Sequence, residues 1–189
     1  MARTKTSARQ TLLDSATVLL AENPGASFIE IAEAAGVGRA SLYRHFPTRD
    51  DLVRELCLEA LKTMDEAVSH IYWTAKSSAE ALEMTINAMV PLGDRLYFLT
   101  RIGEVTDKQV TKEMTRQNKD MLQLIEGAQK EGVLDATVTP RWINGVFTGL
   151  ICTAWDAMAQ DQVSANEAAS LVSRSLLKGL SPLPQDTLS

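Results

Sequence analysis

The sequence predicts an all-α protein: a three-helix head built on a helix-turn-helix, then a helical bundle, about nine helices in all. Three observations predict it. Apolar residues recur at 3.6-residue spacing along most of the chain, and few stretches alternate as strands do. Ser-x-x-Glu capping boxes stand at Ser27/Glu30, Ser77/Glu80 and Ser164/Glu167, each just ahead of an apolar stripe. Breakers separate the stripes, among them Asn23-Pro24-Gly25, Pro91 with Gly93, and Gly132.

The first helix is expected over residues 7–22, with Leu12, Leu13, Ala16, Leu19 and Leu20 on one stripe. Residues 1–8 before it read as a basic arm. Arg3 and Lys5 either solubilise the tail or reach into the minor groove or onto phosphate. The second helix opens at Ser27 and carries Phe28, Ile31, Ala32 and Ala35 inward. Gly36 supplies the left-handed residue that ends it. The third helix, from Arg39 to Phe46, has only Leu42 and Phe46 for a core, with Val37 before them. Arg39, Ser41, Tyr43, Arg44 and His45 are left outside. A short helix so rich in hydrogen-bonding surface fits the reading helix of a helix-turn-helix.

Thr48 caps a long fourth helix, with Asp50 and Asp51 in the first turn, where the helix dipole favours anions. Leu52, Leu56, Ala60, Met64, Val68 and Ile71 line one face, so this helix leaves the head and enters the body. A fifth spans 77–90, a sixth 95–103 with Asp94 as cap, and a seventh 107–130. Thr139-Pro140 starts the eighth, about 140–160, with proline at its first position. It is apolar all round and should be buried on more than one side. Gly145 and Gly149, one turn apart, admit a close helix partner. The ninth runs from 164 to 180. These last two helices would pair with their copies in a four-helix dimer interface.

Charge follows this division. The 189 residues have a formal charge of −5. Residues 1–49 hold six basic side chains (Arg3, Lys5, Arg9, Arg39, Arg44, Arg49) and four acidic ones (Asp14, Glu22, Glu30, Glu33), or +2, which leaves −7 for the remainder. That is the sign expected of a nucleic-acid-binding head, residues 1–47, on an acidic body, residues 48–189. Cys57 and Cys152 lie far apart in apolar helical patterns and read as reduced core residues of a cytoplasmic protein. No apolar leader follows the basic start, and the most apolar stretch, residues 142–155, is too short to span a bilayer. Neither His45 nor His70 has metal-ligand spacing, and no phosphate loop or nucleophile motif is present. No enzyme activity, metal or cofactor is expected.

The run IAEAAGVGRASLYRHF, residues 31–46, followed by Asp51-Leu52-Val53, resembles the DNA-binding motif of the TetR family of transcriptional regulators. The matching stretch is about residues 9–56. The resemblance implies an all-helical dimer, usually a repressor released from a (pseudo)palindromic duplex operator by a small ligand, with the last two helices as its interface. It also implies that Arg39, Ala40, Ser41 and Arg44 face bases. Arg39 is long and forked, suited to guanine O6 and N7; Arg44 either does the same or holds phosphate. Ser27, Tyr43, His45 and Arg49 fall where the family contacts phosphate. Other roles stand beside these: half-core packing for Tyr43, a local cap for His45, and an ion pair with Asp50 or Glu30 for Arg49.

An effector cavity is expected in the body from its Met-rich and aromatic faces. Its candidate residues are Trp73, Met89, Tyr97, Phe98, Met114, Met121, Phe147 and Trp155, with Arg101 and Asn118 as polar partners. Asn87 and Thr148 are further polar candidates, and Arg101 is equally suited to pair with Glu104. Two other functions fit the same sequence: a helical small-molecule carrier whose head no longer reads DNA, or an activator of the same fold.

Overall fold

The computed structural model describes residues 8–103 and 107–181. The expectations for Arg3, Lys5 and Glu104 lie outside them. Among the described residues there are ten α-helices and no strand. They are α1 (Ala8–Glu22), α2 (Phe28–Ala34), α3 (Arg39–His45), α4 (Arg49–Ser69), α5 (Ile71–Thr74), α6 (Ser78–Met89), α7 (Gly93–Arg101), α8 (Lys108–Lys130), α9 (Pro140–Ala159) and α10 (Ala165–Gly179). A 3-10 turn, Val90–Leu92, joins α6 to α7.

The stripe of α1 closes on α2 and α3 through Leu12, Leu13, Ala16, Leu20, Ile31, Leu42 and Phe46, all 2% exposed or less. Each large aliphatic side chain buried this way contributes about 1.5–3 kcal/mol. This core continues without a break into Leu52, Leu56 and Cys57 of α4, and on to Phe98, Ile125 and Ile151 of the body. α1 packs on α7 as well as on the head helices. The head is therefore mounted on the body through two helices, α1 and α4. Burial pushes the Cys57 thiol up to about 11 and raises that of Cys152, so both are poor nucleophiles. No described helix is long and apolar enough to cross a membrane.

Two expected caps are corrected. At Ser77 only half the box forms: Ser77 accepts the Glu80 amide (3.1 Å), but Glu80 turns back to the Lys76 amide (2.6 Å). Glu131, at the end of α8, takes the Ser78 and Ala79 amides instead (2.7 and 3.0 Å). The local carboxylate bonds one residue before the expected amide, and a distant carboxylate serves the first two amides of α6. Asp94 caps nothing: α7 starts two residues earlier than expected, at Gly93, straight out of the 3-10 turn, and Asp94 pairs with Arg95 (2.8 Å). The fourth helical stripe also ends sooner than expected, at Ser69, and Ile71 belongs to the separate turn α5.

Gly93 sits against α9. A Cβ there would stand 2.6 Å from Trp155 Cβ and 3.3 Å from the Ile151 carbonyl oxygen. Neither neighbour is a flexible chain end, so Gly93→Ala will lower stability by about 1–3 kcal/mol through overpacking. A thermal melt reads this directly, and an unchanged midpoint would show that the two helices can separate freely.

Candidate nucleic-acid interface and body cavity

Each part of the head is positioned by its local sequence. Ser27 Oγ accepts the Glu30 amide (3.2 Å) and the Glu30 carboxylate accepts the Ser27 amide (2.7 Å). Those bonds hold the Glu30 carboxyl below its usual range. α2 ends in a Schellman motif, with Gly36 at φ +62° and bonds from Gly36 N–H to Glu33 O (3.0 Å) and Val37 N–H to Ala32 O (2.9 Å). This turn sets the angle at which α3 departs. Leu42 and Phe46 then fix the roll of α3 about its axis.

With that roll set, Arg39, Ala40, Tyr43 and Arg44 are exposed, while Ser41 and His45 are half-buried. Arg39 lies 3.7 Å from Glu33, both well exposed. Such a pair is worth little, so the guanidinium is free to leave it. Arg44 donates to Ser41 Oγ (3.2 Å), which joins two of the residues expected to face bases. The Tyr43 ring stacks edge-on against Phe28 at 5.1 Å yet stays 52% exposed. Half-core packing and an outward hydroxyl are compatible in this one side chain. Ser27 lies exposed beside this surface. Arg49 is half-buried and donates to the carbonyls of Pro24 (2.7 Å) and Ala26 (3.5 Å), tying α4 to the α1–α2 loop. Arg9, not singled out from sequence, lies over the Phe46 ring at 5.5 Å and pairs with Glu55 (2.6 Å).

The body holds a mainly apolar cavity of about 360 Å³. Leu61, Met64 and Val68 of α4 form one wall, and Met114, Met121 and Leu124 of α8 another. Met89, Leu96, Leu99 and Phe147 close it from α6, α7 and α9. Met89, Met114, Asn118, Met121 and Phe147, all expected at a ligand site, meet here, as does Thr148.

The other expected residues lie elsewhere. Trp73 is 89% exposed on α5. Phe98 is fully buried core. Tyr97 stacks on Trp155 at 4.6 Å, and Arg101 covers Tyr97 and donates to its hydroxyl (2.9 Å). Asn87 turns to its own helix, donating to Glu83 O (2.8 Å). Sequence reasoning missed Tyr72, Asp65, Gln117, Asp120 and Asn144 on the cavity wall. Asp65 and Asp120 sit beside apolar stripe positions Met64 and Met121, which was the available signal.

α4 is common to both sites. Its first turn is boxed by Thr48 and Asp51 beside the head, and its second half walls the cavity. Gln117 of α8 donates to the Leu61 carbonyl (2.8 Å), and Arg54 of α4 donates to Asp107 (3.1 Å) and Gln109 (2.8 Å) at the start of α8.

Residues 12–56 match the family profile described as bacterial regulatory proteins, tetR family. Over 178 residues the chain is 26% identical to the HTH-type transcriptional repressor LfrR of Mycolicibacterium smegmatis, covering 94% of this chain and 92% of that protein. It is 25% identical over 174 residues to the HTH-type transcriptional regulator NfxB of Pseudomonas aeruginosa, covering 90% and 92%. The crystal structure of LfrR from Mycobacterium smegmatis in complex with proflavine superposes with a TM-score of 0.72 at 25% identity, over 93% of this chain and 97% of that one.

Proposed function

The chain belongs to the TetR family of DNA-binding transcriptional regulators, and from that premise we propose that it is a homodimeric repressor which leaves its operator when a small apolar or amphipathic molecule enters the body cavity. The observation that carries this reading is the shared helix. A ligand between α4 and α8 bears on the same rigid rod that enters the head. Two heads held by one dimer read two half-sites about one duplex turn apart, and a shift of each α4 changes that separation. The ligand must favour the DNA-incompetent state, since equal affinity for both would shift nothing. That LfrR is named a repressor, and has been crystallised with a small molecule, supports both the sign and the class of effector.

Within this reading Arg39, Ala40, Ser41 and Arg44 face base edges, and Ser27, Tyr43, His45 and Arg49 the backbone. Arg39→Ala will weaken operator binding by about 1–3 kcal/mol, roughly 5- to 150-fold, and relax sequence preference at one position per half-site. Glu33→Ala, which removes only the partner of Arg39, will not weaken it. The test is selection of genomic fragments by the purified protein, then gel shifts of the selected sites with and without candidate ligands. Failure of the intact protein to shift any fragment at low salt would sink the proposal.

A further inference from the structure

We infer that the body cavity selects amphipathic organic cations, whose positive group is held by Asp65 and Asp120 in competition with Arg116. The inference rests on the reading of that cavity as the effector site and adds the charge of its ligand.

Among the described residues lining the cavity there is no lysine, arginine or histidine. The carboxylates there are Asp65 of α4 and Asp120 of α8. The remaining polar lining is amide and hydroxyl, with no fixed charge. An anionic ligand would meet these two carboxylates and no cationic wall residue; with the carboxylates 41% and 29% exposed the repulsion is partly screened but unfavourable in sign.

Both carboxylates are paired with Arg116, one turn before Asp120. Its guanidinium donates to Asp65 (2.6 Å), to Asp120 (2.9 Å) and, through Nε, to Glu113 (3.0 Å). Three carboxylates around one guanidinium leave a formal −2. The excess is felt across the mouth: after burial, Asp120 and Asp65 are the next causes raising the Tyr72 hydroxyl above its ordinary range.

Arg116 itself is not a wall residue; its side chain is 43% exposed and keeps Glu113 as a partner if Asp65 or Asp120 is taken. A cation entering from the apolar side can therefore replace it without leaving a buried charge unpaired. Tyr72, near enough to the two carboxylates to feel their charge, lines the same cavity and adds an aromatic ring, a group that favours cations. Because Arg116 bridges α8 to Asp65 on α4, the exchange also removes one of the ties between those helices.

The experiment uses the full chain and two flat probes of nearly the same size: N-methylacridinium, a permanent cation, and acridine, neutral at mildly alkaline pH. Binding is measured by calorimetry. The cation is expected to bind at least tenfold tighter. Asp65→Asn and Asp120→Asn will each narrow that ratio, and the double variant will bring it near unity while acridine binding is kept. Arg116→Met, which removes the competitor, will tighten the cation several-fold and leave acridine unchanged. A merely structural role for Arg116 would weaken both. Equal binding of the two probes, with both abolished by a cavity-filling Thr148→Trp, would overturn the charge selection and leave the cavity reading standing. Binding of neither probe, or binding that survives Thr148→Trp, would overturn both.

Discussion

Phe46→Ala will destabilise the protein by about 3–5 kcal/mol, the range for truncating a large buried aromatic. Phe46 is 2% exposed and stands where α3 gives way to the capped start of α4. Its ring is also the platform under Arg9. Against a total stability of about 5–15 kcal/mol this is a large fraction, so DNA binding should fail well below the melting temperature of the parent. Denaturant titration followed two ways makes the result more informative. Trp73, Trp142 and Trp155 all lie in the body, whereas helical circular dichroism sees head and body together. One connected core and the packing of α1 on α7 predict coincident transitions that move together. If only the dichroism midpoint moved, the head would be an independent unit, and its mounting through two helices would be too weak to transmit a signal. A shift under 1 kcal/mol would mean that Phe46 is not a core residue.

The head was readable because its instructions are local. The Ser27 box, the Gly36 turn and the Thr48 cap each act within four residues, and the Leu42 and Phe46 pair leaves no choice of buried face. The same logic failed wherever a distant group intervened. Glu80 bonds the Lys76 amide, one residue before the Ser77 amide expected of it, while distant Glu131 takes the next two amides, and α7 begins straight out of a 3-10 turn at Gly93, which packs on Trp155. The cavity was legible by composition and not by place. A methionine that lines a void and one that fills a core carry the same apolar signature, so Met89 and Met121 were found among residues such as Phe98 that turned out to be plain core. Asp65 and Asp120 were passed over because carboxylates on long helices usually face water. Only the assembled fold sets one against the other through Arg116.

Gly149→Arg will give a stable monomer whose operator affinity is lower by about 100-fold or more. Within one chain α9 buries a single stripe, Ile143, Phe147, Ile151 and Ala154, although its sequence is apolar on every side. The opposite surface stays open. Trp142 is 66% exposed, Leu171 of α10 is exposed as well, and a Cβ placed on Gly145 or Gly149 would meet nothing within 4 Å. Glycine in mid-helix is unfavourable by about 1 kcal/mol relative to alanine, so its repeated use where the chain itself needs no space points to a neighbour that does. On the proposed dimer reading a second copy of α9 and α10 would occupy that space, as a self-complementary patch does about a two-fold axis. The substitution is therefore harmless to the folded chain and hostile to the pair. Loss of pairing leaves one short reading helix per molecule, and the affinity falls towards the non-specific range, which is typically thousands of times weaker than specific binding. Circular dichroism should show an intact helical fold, analytical ultracentrifugation a monomer, and gel shifts the loss of the specific complex. A variant that sediments as a dimer and binds the operator like the parent would place the interface on another face, and the open side of α9 would need a different partner.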